Sequence, residues 1–356
     1  MRVAIVGGGL AGLTAYATLR HGGLEPDEIT VFGDRNDPAA AWSERARAIR
    51  QRRMRSESDG HVGATSFPGL AVRDARRRRS ITPLVASVFD RYHATVESFL
   101  EHVEEQRAAS GWQPVGSRIE RVRAVEGGFE LDSHGVFEHV LLATGHPGPA
   151  VPEELRGDAR AVHAYEPHEY AESVCVLGAG LAAATEWRNA LAAGSRVISV
   201  RRREPVRRPL NVPREYLTRR GLAGFHRLGR EERAQLLREL LAPSYPPGRE
   251  WDEPLACGRF AVESRVNGAD QVICATGFLR GFRHDPLLAR LVAVHELETA
   301  NGWIALAPDS TVPALTDELR TLAIAGVAAQ WAYPAADTLM GARYAAHGFL
   351  RRCRTR

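Results

Sequence analysis

The feature that most restricts this chain is a duplicated passage in which a short apolar run enters a glycine-rich turn and leaves as an apolar helix. The first copy reads Val3-Ala-Ile-Val6, Gly7-Gly-Gly-Leu-Ala-Gly12, then Leu13 to Leu19. The second reads Val174-Cys-Val-Leu177, then Gly178-Ala-Gly-Leu-Ala-Ala183, and runs on through Trp187 and Leu191. A buried strand, a tight glycine turn and a helix make a βα unit. Each copy then reaches a further strand, Ile29-Thr-Val-Phe32 and Arg196-Val-Ile-Ser-Val200. Two such units in 356 residues predict an α/β chain with two Rossmann-like dinucleotide-binding domains.

A pyrophosphate needs backbone N–H groups that it can approach closely and the positive end of a helix, and glycine permits both the turn and the approach. Gly7, Gly9 and Gly12 meet that need in the first unit, and Gly178 and Gly180 in the second. Each unit also ends in an apolar strand followed by Ala-Thr-Gly, a repetition that strengthens the reading of two nucleotide sites and makes Thr144-Gly145 and Thr276-Gly277 candidates for them. Between the units, apolar residues at helical spacing predict one helix over Pro83 to Gln106, followed by short strands near Ile119 to Val122 and Phe129 to Leu131. The prolines of His146-Pro-Gly-Pro149 suggest a crossing between domains. Trp303-Ile-Ala-Leu306, Thr321 to Gly326 and an apolar helix over Ala335 to Leu350 read as a return to the first domain. The expected organisation is a discontinuous first domain, 1–149 and 286–356, with the second inserted at 150–285.

Composition excludes several chemistries. All 47 basic residues are Arg, which rules out a Schiff-base lysine and a lysine-dependent phosphate loop. A net charge of +4 does not call for a nucleic-acid partner. The arginine runs at Arg45 to Arg55, Arg76 to Arg79, Arg201 to Arg208 and Arg351 to Arg356 read as solvated faces. Cys175, Cys257, Cys274 and Cys353 form no CxxC pair and lack zinc-like spacing, so they read as structural, with no metal site. Without a leader or an apolar stretch of about 20 residues, the expectation is a cytoplasmic protein with no membrane partner.

The coenzyme of the second domain follows from the group after its second strand, because a ribose hydroxyl needs an acidic acceptor and a 2′-phosphate needs cations. Val200 is followed by Arg201-Arg202-Arg203, with no carboxylate before Glu204, which favours NADPH over NADH.

GGGLAG at Gly7 to Gly12, LLATG at Leu141 to Gly145, GAGLAA at Gly178 to Ala183 and CATGF at Cys274 to Phe278 together resemble the class B flavoprotein monooxygenases. That group includes flavin-containing monooxygenases, Baeyer–Villiger enzymes and microbial N-hydroxylases, and the resemblance spans nearly the whole chain. It implies FAD in the first domain and NADPH in the inserted one. Val162-His-Ala-Tyr165 through Tyr170, after Gly157, is similar to the family's linker fingerprint, with a longer glycine-to-histidine spacing. The motifs also depart from the pattern. Gly33 stands where an acidic ribose acceptor belongs, with Asp34 next; Ala39-Ala-Ala precedes Trp42; and Gly326-Val327 replaces a Gly-Asp. Asp34, Trp42, Gly326 and Asp337 are the corresponding FAD candidates, and Gln330, Trp331 and Tyr333 precede the last helix, where relatives place residues over the flavin.

The resemblance implies an FAD- and NADPH-dependent monooxygenase that transfers one oxygen atom from O2 to a small molecule through a flavin hydroperoxide, in specialised metabolism. A homodimer is compatible with it. Ser66-Phe67-Pro68 lacks the family's preceding Asn, and the polar stretch before it supplies Arg55, Ser56, Ser58 and His61 as candidate contacts to flavin, nicotinamide or substrate. His163 divides between a backbone-bonded linker residue and a cofactor contact. Two other readings stay open: an NADPH-dependent flavoprotein reductase or dehydrogenase without oxygen insertion, and a degenerate nucleotide-binding relative. Loops such as Arg214 to Pro254 would set specificity.

Overall fold

Every residue of the first strand, Val3–Val6, is buried. Because successive side chains of a strand alternate between faces, Ala4 and Val6 enter one core cluster while Val3 and Ile5 enter another. Helices or strands must therefore cover both faces, as a parallel sheet requires. The computed structural model describes residues 1–56, 69–266 and 268–354. In it Val3–Val6 is the centre of a five-stranded parallel sheet, in the order 321–324, 139–142, 3–6, 29–33, 115–116.

One face of this sheet is covered by the helices Leu10–His21 and Leu339–Arg354, which pack on each other through Leu13, Tyr16, Ala345, Ala346 and Phe349. The other face meets a small antiparallel sheet, Val122–Val125, Gly128–Leu131 and Val136–Phe137, through Phe129, Leu131 and Phe137. A second five-stranded parallel sheet has the order 260–263, 196–200, 173–177, 271–274, 161–163. Its strands all come from between residues 161 and 274, whereas the first sheet takes strands from both sides of that interval. The chain crosses between the sheets twice, and the crossings lie side by side. Ala150 N donates to Gly277 O at 3.0 Å, Leu279 N donates to Gly148 O at 2.9 Å, and Pro149 and Phe278 form an antiparallel bridge.

The continuous helix expected over Pro83 to Gln106 is corrected to two, Thr82–Val88 and Val96–Ser110. Asp90 adopts φ +55°, a left-handed conformation that ends the first helix, and Thr95 caps the second by accepting from Ser98 N at 3.1 Å. Val88, one of the apolar residues whose helical spacing predicted the helix, is 67% exposed. The final helix begins at Leu339, later than Ala335; Trp303–Ile304 pairs in a hairpin with Thr299–Ala300, and Thr321–Ile324 is the strand that rejoins the first sheet. The expectation for the cysteines agrees with their surroundings. Cys175 and Cys274 are buried, and burial pushes both thiols up to about 11, leaving them un-ionised at neutral pH.

Candidate functional site

The two glycine turns are built alike. Gly7 has φ +130° and Gly178 φ +140°, and a Cβ on either would strike the carbonyl oxygen of the neighbouring Ala-Thr-Gly strand end. The distances would be 2.1 Å to Ala143 O and 2.3 Å to Ala275 O. Gly9 and Gly180 are the N-caps of the helices Leu10–His21 and Leu181–Ala192, both extended, and neither helix has a side-chain cap. Among the described residues, a Cβ at Gly9 or Gly180 would meet no atom within 4 Å. The uncapped N–H groups and the positive helix end thus face open space, the arrangement that takes a phosphate. Gly12 serves packing, since a Cβ there would lie 1.9 Å from Gly7 O. At the matching place in the second unit, Ala183 keeps its methyl and is fully buried.

The first turn opens into a cleft of about 1100 Å³. Its walls include Gly7, Gly9, Asp34, Trp42, Thr144, Gly145, Gly326 and Asp337 of the sequence-derived set. Tyr165, Leu181 and Asn211, from the segment that carries the second sheet, line it too. Gly33 explains the displaced carboxylate. A Cβ there would lie 2.5 Å from Gly8 Cα, so no acidic side chain fits, and Asp34 takes its place on the cleft wall. Trp42 packs edge-on against Phe99 at 4.8 Å, and Asp337 accepts a 2.7 Å hydrogen bond from Asn211 Nδ2.

At the second turn, Arg201 stands at the end of the Arg196–Val200 strand, paired with Glu204 at 2.9 Å, and Arg202 is exposed. The Thr276 hydroxyl donates to Ala150 O, and Gly277 has φ +79°. His163 Nε2 donates to Gly277 O at 3.0 Å while Tyr165 N donates to its Nδ1 at 3.3 Å, so both ring nitrogens are used by backbone. That pattern is the linker-residue reading of His163.

Arg55 is not solvated as its charge run suggested. It is 7% exposed, and its guanidinium donates to Ser244 O, Ser244 Oγ, Arg208 O and Leu210 O at 3.0 to 3.1 Å. It lines the cleft while bracing it against the 208–210 and 244 backbone. Ser56 is buried. Ser58 and His61 lie outside the described residues.

Sequence reasoning passed over a cluster at the crossing. His146 follows the first Ala-Thr-Gly and Phe278 the second, and their rings stack at 4.2 Å. Tyr165 stacks on Phe278 at 4.9 Å, and the Arg45 guanidinium lies 4.6 Å from the same ring. The signal was the duplication itself, because equivalent positions after the two motifs come together. Burial first, then the charges of Arg45 and Arg280, push His146 down to about 3. Its imidazole is therefore neutral at physiological pH, and its buried Nδ1 has no hydrogen-bond partner among the described residues.

A histidine depressed in the folded state gives stability that is complete above the unfolded value near 6.5 and lost as pH falls toward the folded one. His146→Phe should accordingly flatten the acid side of a stability profile between about pH 6 and 3, by at most roughly 1.4 kcal/mol per pH unit. Denaturant melts at several pH values measure this, and parallel profiles for the two proteins would refute it.

Residues 1–218 match the pyridine nucleotide-disulphide oxidoreductase family. No match is found among curated protein sequences. Solved structures similar to this chain include an ornithine hydroxylase from Pseudomonas aeruginosa (TM-score 0.68, 15% identity, 99% of each chain). An ornithine N-hydroxylase from Kutzneria sp. 744, described with reduced FAD, NADP+ and L-ornithine, gives a TM-score of 0.72 at 15% identity over 99% of each chain. The FAD-bound cadaverine monooxygenase of Erwinia amylovora gives 0.74 at 11% identity, over 99% of this chain and 94% of that one. At such identities the likeness establishes the fold.

Proposed function

Because the chain belongs to the pyridine nucleotide-disulphide oxidoreductase family, we propose that it is an FAD- and NADPH-dependent monooxygenase acting on a small molecule with O2. In this reading residues 1–149 and 286–356 form the FAD unit and 150–285 the NADPH unit. The carrying observation is the pair of glycine cradles built alike, with a cleft that opens from Gly7 and Gly9 of the first turn and reaches Leu181, the first residue of the second helix. The fold shared with the N-hydroxylases over nearly the whole chain supports the oxygenase reading.

FAD would lie along Gly7, Gly9, Asp34, Thr144-Gly145 and Gly326, and when bound it supplies the redox chemistry with O2. The protein's own part is placement. The Leu10–His21 helix end offers N–H groups to the pyrophosphate. Asp34 offers a carboxylate to a ribose hydroxyl. Asp337, fixed by Asn211, stands with Thr338 just before the Leu339–Arg354 helix, so that helix's positive end faces the cleft. Neutral His146, Phe278 and Tyr165 make a largely apolar seam where the units meet and keep water from that end.

Arg201 is the group for a 2′-phosphate, and Glu204 competes for it. Arg201→Ala should weaken NADPH far more than NADH. Glu204→Gln should lower the NADPH KM roughly fivefold, since a charge-assisted contact is freed, with NADH unchanged. Equal effects on both coenzymes would show that selectivity lies elsewhere.

The deciding experiment incubates FAD-loaded protein with NADPH, 18O2 and ornithine, lysine or cadaverine in turn, following oxygen uptake and product mass. Substrate-stimulated uptake with one labelled atom in the product is expected. Fast anaerobic NADPH oxidation with an artificial acceptor, without labelled product, would assign the protein as a reductase.

A further inference from the structure

Among the described residues eleven large apolar side chains are exposed, and four of them fall within residues 81–89: Ile81 (73%), Val85 (49%), Val88 (67%) and Phe89 (66%). They belong to the Thr82–Val88 helix and its two flanking caps. At 100° per residue, positions 81, 85, 88 and 89 occupy one arc of about 100°, the width of an apolar stripe that ordinarily faces a core. Leu84 and Ala86, on the two flanks of the stripe, do pack on the first domain's core. The helix is thus apolar toward the protein and apolar toward solvent.

The surroundings of this stripe are strongly basic. The preceding helix, Gly69–Arg78, ends in Arg76-Arg77-Arg78, and Arg79 follows with φ +49°. Nearby carboxylates are already engaged. Asp74 is buried and takes Arg78, Tyr92 and Ser98; Glu101 takes Arg73 and Arg77; and Asp90 takes Arg214. Arg76, Arg79 and Arg91 are exposed and have no carboxylate partner among the described residues.

We propose that this stripe and its arginine rim form a docking surface for an anionic lipid bilayer, holding the protein at a membrane as a peripheral contact. The apolar side chains would enter the headgroup boundary while the unpaired guanidiniums meet lipid phosphates, the division of labour of an interfacial amphipathic helix. Charge selects this occupant: a second copy meeting the first across the same stripe would bring two unpaired arginine rims together. No described helix is long and apolar enough to cross a membrane, so the contact lies on the surface. It revises the sequence-based expectation of no membrane partner and is independent of the reaction proposed above.

The test is sedimentation of the full chain with phosphatidylglycerol–phosphatidylcholine vesicles and with phosphatidylcholine vesicles alone. Binding to the anionic vesicles, weakened by salt, is expected. The double variant Ile81→Ser, Phe89→Ser should reduce it more than tenfold. Arg76→Gln, Arg79→Gln and Arg91→Gln should each reduce it roughly fivefold, about 1 kcal/mol per charge. All five positions are exposed, so melting temperatures should hold. As a second reading, Phe89→Trp should blue-shift its emission on adding anionic vesicles. Absence of binding, equal binding to neutral vesicles, or binding untouched by either set of variants would overturn the proposal. So would light scattering that shows a dimer dissolved by the Ile81 and Phe89 changes, or tight binding only to an acidic protein.

Discussion

Gly9→Val should purify as a folded, colourless protein. The open space beyond Gly9 means the valine methyls meet no protein atom near Cβ, and the position already has extended backbone that any residue adopts. Its fold should therefore survive, with melting within about 1 kcal/mol of the parent. The same methyls would occupy the approach to the first-turn N–H groups, and flavin affinity should fall at least about 100-fold, roughly 3 kcal/mol. Gly12→Val is the contrasting case. Its Cβ would overlap Gly7 O, so the helix must leave the turn and the protein should fail to accumulate in soluble form. Flavin absorbance relative to protein, read beside a thermal melt, separates the two. A Gly9→Val protein with full flavin would mean that the pyrophosphate lies elsewhere.

Arg55→Met should destabilise the protein by about 3–5 kcal/mol, because several buried oxygens lose a charge-assisted hydrogen bond and each one left unsatisfied costs about 1–3 kcal/mol. Four acceptors on the 208–210 and 244 segments lose their donor at once. Arg55→Lys should recover less than half of this, because an ammonium cannot reproduce the planar fork that reaches several carbonyls. Urea melts give both values. If Arg55→Met melts like the parent yet loses substrate-dependent turnover, Arg55 acts on the ligand, and its bracing contacts are incidental.

These two residues mark what was legible in the chain. Gly7, Gly9 and Gly12 could be read because their demands are local: positive φ, an uncapped helix start and a close approach, all within one turn. Arg55 appeared only as part of a basic run, since the carbonyls that bury it lie more than 150 residues away. The stacking of His146 on Phe278 was present in the repeated Ala-Thr-Gly and went unused, because a repeat says which positions correspond and not that they touch. Periodicity failed at Val88. The same i, i+4 spacing that predicts burial here marks an outward face, and the break at Asp90 depends on a single left-handed residue. Asp34 was singled out as the displaced acid and stands on the cleft wall, and the contact of Gly33 with Gly8 that keeps a side chain off the preceding position needed coordinates.

The paired crossing at Gly148–Ala150 and Gly277–Leu279 has a consequence for how such a chain can be rebuilt. The interposed segment departs and returns through neighbouring points, so its removal leaves a gap that a few residues can span at little entropic expense. Closing that gap is the easy part: the same segment carries the carbonyls that bury Arg55 and the side chains of Leu222, Phe225 and Leu237 that complete the core beside the first strand, so a replacement would have to bring its own cover for both.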